Sequence, residues 1–199
     1  MQMETENGKL MGSAIRAMLE MQSDCIKLFR DLDKRLELSE LQAISGNTIT
    51  TGLGSSITSP GLYLASYLYR LYARRDSTND VLGVNIALHD QNARRYFSEP
   101  LFIVANIRYD PTHSDESPAQ RSWDPWSAFL DWSSDRSYGK RMEVLPGRNT
   151  IRKIFVAAVP LYSVNSIQAA IQAIDIVGRP EVHPQAIAGR GSEEATSCP

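Results

Sequence analysis

The chain is poor in the residues that most often do chemistry. Among 199 residues it has three histidines and two cysteines. Cys25 falls in a helical pattern and Cys198 lies beside the C-terminus, so the pair makes neither a disulfide framework nor a metal site. Two independent reduced thiols suit a reducing compartment, and the expected location is the cytoplasm. An excess of one charge is missing too. Lys and Arg number 21 against 23 Asp and Glu, a formal net charge of -2, which supplies no global attraction to nucleic acid or an anionic membrane. No stretch reaches the roughly 20 apolar residues that span a bilayer. The most apolar one, 62–72, is interrupted by Ser66 and Arg70. Residues 1–12 include Glu4, Glu6 and Lys9 without an apolar run, so no signal peptide and no membrane partner are expected.

Catalytic signatures are also missing. There is no Gly-x-Ser-x-Gly elbow, and Cys25 has no evident histidine partner. No Gly-x-Gly-x-x-Gly follows a strand pattern, which removes the usual dinucleotide fingerprint. Gly52-Leu53-Gly54-Ser55-Ser56 is glycine-rich and precedes a helix start at Pro60, as a phosphate-cradling loop does. It lacks the Lys followed by Ser or Thr of nucleotide loops and reads better as a connector. His89-Asp90 matches the pair found in metal-dependent phosphohydrolases, but only His113 and His183 remain to supply further histidine ligands. Asp110, His113, Asp115 and Glu116 form a denser polar cluster. Pro111, Thr112, Ser114, Ser117 and Pro118 surround them, the composition of a solvated loop. No cofactor and no metal are expected.

What is present is pattern. Over 11–38, Ile15, Leu19, Ile26, Phe29, Leu32 and Leu36 recur at spacings near three, four and seven, the mark of a long amphipathic helix. Its acidic residues Glu20, Asp24, Asp31, Asp33 and Glu37 suggest an acidic surface. Ser59 and Pro60 read as a cap and first turn, and 61–75 carries leucines and tyrosines on every side, which predicts a central helix. The period then becomes alternating. Leu82, Val84, Ile86 and Leu88 share one face of a strand over 81–89. Over 101–109, Leu101, Ile103, Ala105 and Ile107 share one face, with Phe102 and Val104 on the other. These two strands are expected to be antiparallel. A third strand is expected over 151–159, brief ones at 48–51 and 142–145, a short helix over 123–132 and a closing helix over 165–177. The predicted architecture is α+β, a three- or four-stranded, mainly antiparallel sheet covered by helices. It forms a single domain over 1–177, followed by a disordered tail over 178–199.

Two surface features carry the functional expectation. Trp123, Trp126, Phe129 and Trp132 concentrate aromatic area of the kind that dominates interfaces, though such rings also fill cores. Arg136, Lys140, Arg141, Arg148, Arg152 and Lys153 follow, opposed locally only by Glu143 and interleaved with Tyr138. Basic groups beside aromatics can hold phosphates and stack bases, although solvated turns share that composition. The favoured reading is a non-enzymatic interaction or accessory protein that binds a protein partner or itself. Its candidate patch is Trp123, Trp126, Trp132, Arg136, Lys140, Arg141 and Arg148. The alternatives are an enzyme acting on a phosphorylated or nucleotide substrate, and a nucleic-acid module using 136–153.

Overall fold

Alternating apolar side chains on two neighbouring segments set the frame of the molecule. In the computed structural model, which describes residues 2–44, 50–51, 67–75, 77–88, 99–110, 138–144 and 151–179, β4 (Ser77–Ala87) pairs antiparallel with β5 (Leu101–Tyr109). β7 (Ile151–Pro160) pairs with the other edge of β5. β6 (Met142–Val144) then borders β7. On the opposite side β3 (Tyr67–Arg74) pairs with β4, and β1 (Leu41–Ala43) pairs with β3. The order is therefore β1-β3-β4-β5-β7-β6, all antiparallel, and β2 (Thr50–Thr51) joins the same edge of β3 further along.

Two expectations are corrected. The described part of the segment predicted as the helix 61–75 is the strand β3, and six strands run in continuous order where three or four were expected. β3 places Tyr67, Tyr69, Leu71 and Ala73 on one face, with Leu68 and Tyr72 on the other. Both faces are buried, so both sets are apolar and the period-2 signal is lost. Aromatic rings also favour a pleated, half-buried surface.

Two helices cover one face. α1 (Gln2–Glu37) is longer than expected, about 54 Å at 1.5 Å per residue. α2 (Ile167–Val177) starts where the Ser166 hydroxyl accepts from Ala169 N–H at 3.2 Å and ends at Gly178, whose φ of 78° suits a residue without Cβ. Phe29, Leu32 and Leu36 of α1 and Ala170, Ile171 and Ile174 of α2 pack on Leu82, Val84, Ile86, Phe102 and Val104. Fully burying side chains of the size of Phe29 or Leu32 contributes about 1.5–3 kcal/mol each. The second face buries Val81, Ile103, Ile107, Ile154 and Val156.

Polar ties fix the helices on the sheet. Arg70, on β3, donates Nε to Asp33 Oδ1 and Nη2 to Asp33 Oδ2, each at 2.8 Å, a bidentate clamp onto α1. Asn106 Nδ2 donates to Gly178 O at 2.9 Å, joining β5 to the end of α2. Arg179, the second residue of the sequence-defined tail, donates to Asp175 Oδ1 and to Ser39 Oγ, both at 3.0 Å. The rest of that tail, 180–199, lies outside the described residues.

Candidate interaction surface

α1 is longer than the sheet it covers. Met11, Ile15, Met18, Cys25, Phe29, Leu32 and Leu36 fall in one alternation of four- and three-residue steps, in which the polar Gln22 takes one place. Such a series keeps one stripe of the helix facing one neighbour. In the C-terminal half the neighbour is the chain's own core, and Cys25, Phe29, Leu32 and Leu36 are all buried. In the N-terminal half the stripe emerges. Met11 is 67% exposed and Ile15 53%, beside Leu10 at 71% and Leu19 at 62%. Isolated apolar residues are common on surfaces, but a contiguous row on a helix that stands clear of its own core is the feature that marks interaction sites.

Of the acidic residues of the helix, Glu20, Asp24 and Glu37 are exposed. Asp33 turns toward the sheet and holds Arg70. Beneath that clamp, burial raises the Tyr72 hydroxyl's pKa, and the Asp33 carboxylate adds to the shift while Arg70 opposes it. Cys25 closes the buried stripe. Burial first, and then the Asp24 carboxylate, push its thiol up to about 11, so the sulfur is a packing group with little thiolate.

Only part of the expected basic-aromatic patch can be placed. Trp123, Trp126, Trp132, Arg136 and Arg148 lie outside the described residues, as do His113, Asp115, Glu116, His89, Asp90 and Gly52-Leu53-Gly54. Lys140 and Arg141 are exposed at the start of β6. The Arg141 guanidinium sits 3.6 Å from the centre of the Phe155 ring, with the Lys153 ammonium 4.7 Å from the same ring. Lys153 also pairs with Glu143 at 3.2 Å. The sheet thus brings Arg141, Lys153 and Phe155 together, and both cations are engaged by groups of the chain itself.

Among the described residues no three His, Cys, Asp or Glu side chains gather as metal ligands, and no helix is long and apolar enough to cross a membrane. Sequence reasoning recognised the helix but did not divide its stripe into a covered and an uncovered half. The missed residues are Met11 and Met18, which continue the buried stripe toward the N-terminus. The available signal was length: a 36-residue helix outruns strands of at most 11 residues. No protein-family model matches the chain, and neither the curated proteins nor the solved structures include a match to it.

Proposed function

We propose that the chain is a non-enzymatic interaction protein that assembles through the N-terminal half of α1, with a second copy of itself as the partner. The observation that carries this reading is the division of one apolar stripe into a buried half and an exposed half. Exposed apolar residues at 3-4 spacing favour a second helix of the same pattern, because each Met or Ile side chain buried there contributes about 1.5–3 kcal/mol. Closed two-fold pairs are also the commonest homo-oligomers.

Size-exclusion chromatography with light scattering tests it. The wild-type chain is expected at twice its 22.2 kDa mass at micromolar concentration. The double variant Met11→Glu, Ile15→Glu is expected at the single-chain mass with its helix content intact, since both side chains are exposed. A wild-type monomer at the highest attainable concentration overturns the proposal.

A further inference from the structure

We infer that the sheet face turned away from the helices holds a site for a neutral, planar molecule that presents a hydrogen-bond donor beside an acceptor to Asn85. The site is separate from the assembly surface on α1. Asn85 lies on β4, which pairs with β3 on one side and β5 on the other. Its cross-strand partners Tyr69 and Ile103 belong to the second core, so its side chain projects into that core beside theirs. Asn85 is 1% exposed, and among the described residues neither its Nδ2 nor its Oδ1 has a hydrogen-bond partner. Such an amide is destabilising through its donor and its acceptor alike, and native interiors seldom keep one without a use for it.

A second unfavourable choice stands next to it. Gly83 is two residues before Asn85, on the same side of the strand. It pairs with Leu71 and Ala105 in regular register, so no bulge calls for a glycine there. Glycine inside a strand weakens it and marks a place where a ligand or another backbone comes close. Ala87, two residues beyond Asn85, and Ala105, across from Gly83, are small as well. Together the three lower the sheet surface around the amide. Tyr67 and Tyr69 stand along one side of it, their rings 6.0 Å apart and 28° from parallel.

These groups set the chemistry of the ligand. Among the described residues that border Asn85 on this face none is charged, so a charged ligand would lose its hydration without gaining a counter-ion. A carboxamide holds one donor and one acceptor in a single plane, and its match is a flat partner with the reverse pair. The amino group and N7 of adenine form such an edge, and so does the carboxamide of nicotinamide. A ring lying over Gly83 and Ala105 has tyrosine rings beside it, which favours an aromatic ligand over an aliphatic amide.

NMR on isotope-labelled protein tests the inference. The chain is refolded from urea with millimolar adenine or nicotinamide, so that burial of the site does not bar entry. At least one of the two is expected to move the Asn85 side-chain amide resonances, and the one that does identifies the ligand's edge. Asn85→Leu is expected to bind that probe at least about 10-fold more weakly, with a urea midpoint no lower than wild type, which separates lost binding from lost fold. Gly83→Val fills the depression while favouring the strand, and is expected to abolish binding with the circular dichroism of the sheet retained. Asn85 amide protons that contact only water and are moved by neither probe overturn the inference, whatever the variants do. Binding by Asn85→Leu equal to wild type overturns it too. Neither result bears on assembly through α1, which chromatography reads separately.

Discussion

Asn85 is 1% exposed in β4, on the sheet face away from the helices, and among the described residues neither its Nδ2 nor its Oδ1 has a hydrogen-bond partner. Its cross-strand neighbours are Tyr69 and Ile103. Burying an amide without compensation is destabilising, whereas an apolar group of similar shape loses nothing. Asn85→Leu is expected to raise the unfolding free energy by about 1 kcal/mol, read as a higher urea midpoint at unchanged slope. A lower midpoint would show that the amide has a role its surroundings do not reveal. Cys25 carries the opposite kind of expectation, one tied to pH. Its folded-state thiol is raised from 9.0 to about 11. The unfolded state therefore ionises first, and stability falls as pH rises from about 9 through 11, with no contribution from this group at lower pH. Peptide mapping after iodoacetamide at pH 8 is expected to show Cys25 unmodified in the native protein and alkylated in urea. Rapid native alkylation would contradict the packing described for α1.

Among the elements, α1 shows most directly how polar and apolar contacts divide the work. Leu32 and Leu36 anchor it, and the Arg70–Asp33 clamp sets its rotation over β3. Arg70 is 4% exposed and Asp33 34%, so removing the carboxylate takes the bidentate partner from a buried guanidinium. Asp33→Ala is expected to cost about 2–4 kcal/mol, and Arg70→Met in the same chain to recover part of it. Additive losses in the double variant would mean that the two residues act separately. The same elements show what the sequence could disclose. α1 and α2 were legible from an apolar face of helical period, and β4, β5 and β7 from short runs rich in Val and Ile. β3 was not, because Tyr67, Tyr69 and Leu71 face one core and Leu68 and Tyr72 the other, leaving a largely apolar run around Arg70, rich in leucine, that suits a buried helix equally well. β1, β2 and β6 span two or three residues, too few for any period to register.

For the whole molecule, strand order was beyond the sequence for a further reason. β1 and β2 line successive parts of one β3 edge, and β5 lies between strands that precede and follow it in the chain. Such neighbours are chosen by long-range packing, which no local pattern encodes. The candidate site was legible to the same degree. The stripe on α1 was readable, but its division into covered and uncovered halves depends on where the sheet ends. Of the seven residues proposed from basic and aromatic composition, Lys140 and Arg141 can be placed, and Arg141 rests on Phe155 of the same chain.

The packing of α1 against α2 also bears on how the protein is made. α1 is complete at Glu37, and α2 begins at Ile167. A ribosome adding about 5–20 residues per second leaves the nascent α1 without its neighbour for on the order of ten seconds. Until β3, β4 and β5 are made as well, Phe29, Leu32 and Leu36 are as uncovered as Met11 and Ile15 are in the finished chain. The full length of the helix then offers one continuous adhesive stripe, open to chaperones or to a neighbouring nascent chain on the same message.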